Sequence, residues 1–253
     1  MRCPKGLPLI ALADLAKDFA AAVAAADAKR PVAIHQRTGV SFQAGIGPHS
    51  ELRTVRLVVE EMLAAQPVRH PAVTFGIPYP GKPCQKCDLM LGEEPDRLYV
   101  EAKLLRILGD NGKPNDNMLM HILSPYPQHR SAVTDCEKLR AATFPGRSAI
   151  LIFGYEYEGW PLEPAIDAFE RMARGKSHLG ERHEALFKDL CHAVHRAGRG
   201  VCLAGFIAAR KPARPCAIPG GTQGSTSPPA AALARPADFL HPGTLRNRLC
   251  YNG

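Results

Sequence analysis

The segment that most constrains this chain is Ser148-Ala-Ile-Leu-Ile-Phe-Gly154, which is apolar at five consecutive positions. Side chains alternate between the two faces of a strand, so a run that is apolar at every position buries both faces. Such a strand needs a layer on each side of its sheet, which points to an α/β fold with helices as the covers. The spacing predicts those helices over 8–29, 50–66, 131–143, 163–174 and 183–197. In the second of them Leu52, Val55, Val59, Met62 and Leu63 form one stripe, and Pro67 ends it. Further strands are expected at 72–79, 87–91, 97–108 and 200–209, with polar loops at 35–48 and 109–117. The order from residue 50 to 156 is then α-β-β-β-α-β. That predicts a central mixed sheet flanked by helices.

Charge divides the chain unevenly. Residues 1–173 hold 20 Lys and Arg against 20 Asp and Glu, whereas 174–253 hold 12 against 4, so the whole net charge of +8 lies in the last third. A basic segment beside a neutral core suggests a polyanionic partner, with nucleic acid foremost; a solubilising tail is the plainer alternative. From residue 211 onward Pro, Gly, Ser and Thr are frequent and the chain reads as loop. The expected organisation is an N-terminal helical extension (1–46), a core with added helices (47–210) and a basic C-terminal segment (211–253).

No apolar run approaches the roughly 18–20 residues that span a bilayer. The short apolar stretch Leu7 to Ala13 is halted by Asp14, so it makes a poor signal peptide. These features predict a cytoplasmic protein with no membrane partner. Most of the eight cysteines are expected to be reduced. Cys84-Gln-Lys-Cys87 is a single C-x-x-C without the second pair that a structural zinc site uses, though His70 or Cys136 could complete it. Gly220-Gly-Thr-Gln-Gly224 lacks the Lys-Ser/Thr of a phosphate-binding loop, and the ten histidines show no H-E-x-x-H spacing.

The chemistry is concentrated between Asp88 and Lys103. On a strand at 97–108, Leu98, Val100, Ala102 and Leu104 share one face, while Tyr99, Glu101 and Lys103 share the other. A charged pair in the middle of a strand with an apolar face implies a task. If Asp88 closes the neighbouring strand, its carboxylate converges with that of Glu101. Two carboxylates on adjacent strands make an oxygen-rich site for Mg²⁺, with Mn²⁺ as its substitute. Lys103, on the same face, can position an attacking water and offset charge at phosphorus. The alternative is a solvated strand face, with Asp88 as a turn cap.

Asp88 with Glu101-Ala102-Lys103, in an α-β-β-β-α-β order, resembles the PD-(D/E)xK nuclease superfamily, which includes many restriction endonucleases and archaeal junction resolvases. The resemblance covers roughly residues 47–156. It implies a restriction-endonuclease-like core, Mg²⁺-dependent hydrolysis of DNA, and an acid from the first core helix at the site. Of Glu51, Glu60 and Glu61, only Glu51 lies within roughly 50° of the apolar stripe, and Gly47-Pro-His-Ser-Glu51 looks like the family's entry into that helix. Cys87 stands where the family prefers Pro, and Gln128 is followed four residues on by Ala132 rather than Tyr, unlike the exonuclease branch.

The expected activity is therefore a metal-dependent endodeoxyribonuclease, foremost a type II restriction enzyme. It would use Asp88, Glu101, Lys103 and Glu51 for catalysis, with Asp88 and Glu101 holding the metal. Arg130, Lys138, Arg140, Arg210, Lys211 and Arg214 would contact double-stranded DNA. Cleavage of both strands would call for a homodimer. The alternatives are a non-catalytic nucleic-acid-binding protein and a repair or junction-resolving nuclease of the same fold.

Overall fold

The doubly buried strand lies at the middle of the sheet, as its sequence requires. The computed structural model describes residues 10–205 apart from 116, 177 and 178. Its strands are β1 (Val73–Tyr79), β2 (Lys82–Leu91), β3 (Leu98–Arg106), β4 (Arg147–Glu156), β5 (Arg182–Phe187) and β6 (Ala197–Gly205). They form one six-stranded mixed sheet in the order β1-β2-β3-β4-β6-β5. Only β3 and β4 run parallel; the other neighbours are antiparallel. Parallel neighbours need a crossover. Here the crossover carries α3 (Met118–Leu123) and α4 (Ala132–Ala141), with a short 3₁₀ turn, Pro127–His129, between them.

Helices cover both faces. On one face α1 (Leu12–Ala28) and α2 (Glu51–Ala65) pack Phe19, Val23, Val55, Val59 and Met62 against Val100, Ala102, Leu151, Phe153 and Tyr155. On the other, α3, α4 and α5 (Glu163–Lys176) pack Ile122, Val133, Leu139, Ile166 and Phe169 against Ile150, Ile152, Val201 and Leu203. β4 thus sends alternate side chains into two separate cores. The first 46 residues carry α1, whose Leu15, Phe19 and Val23 belong to the same core as α2.

The structure differs from the sequence expectation in several places, and β2 starts at Lys82 rather than residue 87. Residues 183–197 do not form a helix: 182–187 is edge strand β5, and a loop follows. The helix α3 was not anticipated. Leu52, expected in the buried stripe of α2, is 53% exposed, and Val58 takes its place in the core. Among the described residues no helix is long and apolar enough to cross a membrane.

Candidate active site

The β2–β3 ladder ends early, and side chains take over its hydrogen bonds. Pairing runs from Leu91↔Leu98 to Leu89↔Val100 and goes no further. Beyond that point β2 and β3 diverge, which leaves backbone amides of β3 on an open edge. Asp88 Oδ2 accepts the Ala102 N–H at 2.8 Å, and Glu51 Oε2 accepts the Leu104 N–H at 2.7 Å. Two carboxylates from different elements are therefore anchored to alternate amides of one strand. Each anchor uses one oxygen; the second Glu51 oxygen, Oε1, faces Lys103.

Glu101 and Lys103 lie on β3 between these anchors, on the face opposite Val100, Ala102 and Leu104, as strand alternation predicts. Glu101 is only 3% exposed, which excludes a solvated strand face. Its Oε1 accepts the Tyr79 hydroxyl at 2.5 Å, and the Asp88 carboxylate lies near enough to raise its pKa. The Lys103 ammonium lies 3.0 Å from Asp135 Oδ2 and 3.6 Å from Glu51 Oε1. All four expected catalytic residues, Asp88, Glu101, Lys103 and Glu51, are thus brought together.

Asp135 is a site residue that sequence reasoning missed. It follows the α4 N-cap Ser131, which accepts the Thr134 N–H, and so it reads like an ordinary helix-start acid. In the fold it is buried and bridges Lys103 to Lys138, whose ammonium is 2.5 Å from Asp135 Oδ1.

The electrostatics follow from this crowding. Burial, with the Asp135 and Asp88 carboxylates nearby, pushes the Glu101 carboxyl well above its usual range. Glu51 is also raised, chiefly by burial, while Lys103 and the Leu104 amide pull it back. Burial alone would lower Lys103, but Asp135 and Glu51 outweigh it and hold the ammonium charged.

This donor set fits a hard divalent cation. Asp88 and Glu101 supply oxygen only, and their mutual repulsion would be relieved by a positive ion between them. Mg²⁺ typically takes one or two protein carboxylates and completes its shell with water and substrate oxygens, so a pair suffices.

Three of the expected DNA-contacting residues lie at α4. Arg130, just before α4, and Arg140, in its last turn, are exposed, whereas Lys138 is engaged by Asp135. Arg210, Lys211 and Arg214 lie outside the described residues. The C-x-x-C pair does not converge. Cys84 is exposed, while Cys87, three residues along the same strand, is buried and directs its thiol to the Val100 carbonyl at 3.3 Å. His70 binds Asp18 instead, at 2.9 Å.

A second polar cluster was not anticipated. Asp110, His192 and His195 bring one ligand atom each within 4.8 Å of one another, a grouping that can hold a metal ion. Their hydrogen bonds also make them a strut: His195 meets Tyr157 Oη at 2.6 Å and Asp110 Oδ1 at 2.8 Å. His192 Nδ1 accepts the Val194 and His195 amides. The strut ties the β5–β6 loop to the loop after β3. Reading 183–197 as a helix concealed it, because the two histidines then sat on an ordinary helical segment.

No protein-family model, no curated protein and no solved structure matches this chain.

Proposed function

We propose that this chain is a Mg²⁺-dependent endonuclease that hydrolyses phosphodiester bonds in DNA. The observation that carries the reading is the seating of Asp88, Glu101, Lys103 and Glu51 around the point where β2 and β3 part. The order α2-β1-β2-β3-α3-α4-β4, with β3 and β4 parallel and α3 as an added helix in the crossover, supports a restriction-endonuclease-like core. So does the position of the acid pair and lysine on its second and third strands.

Asp88 and Glu101 would hold the ion, which when bound polarises a phosphoryl oxygen and lowers the pKa of its water. The remaining roles belong to the side chains. Lys103 keeps its proton, so it serves as a fixed positive donor that orients the attacking water and offsets charge on the phosphate. Asp135 positions that ammonium from α4, and Glu51 does so from α2. Tyr79 fixes one Glu101 oxygen and leaves the other to face the cation. The restriction-type form of this activity adds a second copy, since each chain supplies one such site.

Incubation of supercoiled plasmid with Mg²⁺ or with EDTA tests the reading. Nicked or linear product in Mg²⁺ alone supports it. A protein that shifts DNA in a gel but never cuts it, in Mg²⁺ or Mn²⁺, is a binding protein instead.

A further inference from the structure

Immediately before α2, residues 33–42 double back as a small hairpin finger. Ile34 bridges Ser41, the His35 N–H donates to the Val40 carbonyl, and the Phe42 N–H donates to the Ala33 carbonyl. The tip is fixed by side-chain chemistry: His35 Nδ1 accepts the Thr38 N–H at 3.2 Å, and Gly39 takes a φ of +70°. Between this finger and the start of α2 runs an open groove of about 710 Å³, lined by Ile34, His35, Arg37, Phe42, His49 and Arg53 among others. It reaches Ser50, the residue before Glu51.

The lining combines positive charge with apolar surface. Arg37 and Arg53 are both exposed, and among the described residues neither forms an ion pair. Among the described residues Arg30, Arg130, Arg140, Arg171 and Arg196 are likewise exposed without an ion pair, so what sets Arg37 and Arg53 apart is that they line one groove. Ile34 and Val40, also on the finger, are 62% and 64% exposed. Two guanidiniums without ion pairs, beside exposed apolar side chains and the half-buried Phe42 ring, match the two parts of a polynucleotide, phosphate and base.

We propose that this finger and the first turn of α2 form the groove that holds the DNA strand leading into the candidate active site. Arg37 and Arg53 take phosphates there, while Phe42 and Ile34 lie against sugar or base faces. The proposal rests on the nuclease reading for its choice of ligand, and it moves the main backbone contacts away from the C-terminal third. The groove ends at Ser50, the residue before Glu51, so a strand held in it would lie beside the helix start that carries Glu51.

The test is binding of a fluorescein-labelled 20-base-pair duplex in EDTA, followed by anisotropy across a salt series, for wild type and for Arg37→Ala/Arg53→Ala. Each phosphate contact contributes about −0.9 to the slope of log K against log salt. The double variant should therefore lose about 2 from that slope and bind on the order of 10–100-fold more weakly at low salt. Both arginines are exposed, so the melting temperature should not move. In parallel, a duplex carrying 5-iododeoxyuridine should photocrosslink within 33–42 or 48–53. An unchanged slope, crosslinks only elsewhere, or no duplex binding by wild type overturns the groove. Plasmid nicking in Mg²⁺ separates the two ideas: nicking with an unchanged slope sinks the groove alone, and a flattened slope without nicking sinks the nuclease alone.

Discussion

Lys103 Nζ lies 3.0 Å from Asp135 Oδ2, joining the middle of β3 to the first turns of α4 across a buried interface. The Asp135 side chain is 2% exposed and also holds Lys138, so one carboxylate faces two ammonium groups. Removing the charge from one member of such a pair leaves the other uncompensated. Asp135→Asn should cost about 3 kcal/mol of stability. It should also slow cleavage by releasing Lys103 toward Glu51. Chemical denaturation and single-turnover cleavage at a temperature where the variant is folded check both halves. Unchanged cleavage in a folded variant would remove Asp135 from the site.

The two substitutions at Lys103 separate charge from geometry. Lys103→Ala should abolish cleavage and destabilise by about 3 kcal/mol, since Asp135 and Glu51 lose their common partner. A solvated lysine would change stability by only about 0.5 kcal/mol. Lys103→Arg keeps the charge but carries a longer planar head, and Asp135 and Glu51 already confine that position. Its cleavage should fall by orders of magnitude while its melting temperature stays closer to wild type. Near wild-type cleavage by the Arg variant would reduce Lys103 to a counter-charge.

Much of this site is legible in the sequence because strands and helices are periodic. Alternation alone puts Glu101 and Lys103 on one face of β3. The 100° step of a helix selects Glu51 over Glu60 and Glu61. Asp135 is invisible by the same methods, because an acid four residues after Ser131 is what any helix start can carry. Its role depends on α4 packing back over β3, a long-range contact. Residues 183–197 mislead for a different reason. His-Glu-Ala-Leu-Phe has helix formers, but pairing with β6 from Arg182↔Leu203 to Phe187↔Gly198 overrides that preference. The helix α3 is six residues long, too short to show a period.

The raised carboxyl of Glu101 makes stability depend on pH in a defined direction. Its folded pKa lies above the unfolded value of 4.5. The folded state therefore binds more protons above pH 4.5, and stability falls as pH rises through that window. Glu101→Gln should remove this contribution, so the gap between the two melting curves should change between pH 4 and pH 8 in EDTA. Mg²⁺ would bind the ionised form, so its stabilising effect on wild type should be larger at pH 8 than at pH 5. Parallel curves for wild type and Glu101→Gln, with no Mg²⁺ effect at pH 8, would contradict the assignment.

Gly47 tests the histidine strut independently of the acids. A Cβ at this position would lie 2.4 Å from His195 Cδ2, so Gly47→Ala must displace the ring that meets Tyr157 and Asp110. The expected cost is about 1–3 kcal/mol. Thermal unfolding measures it, and a neutral effect would show that the strut yields freely.

The most direct measurement is Mg²⁺-dependent plasmid cleavage by wild type beside Asp88→Ala and Glu101→Ala. Each variant is also assayed for duplex binding in EDTA. Asp88→Ala leaves the Ala102 amide without its acceptor, at a cost of about 1 kcal/mol, which a mostly preformed sheet should tolerate. The account predicts cleavage by wild type in Mg²⁺ alone, and none by either variant while both still bind DNA. Cleavage by either variant at near the wild-type rate would contradict it.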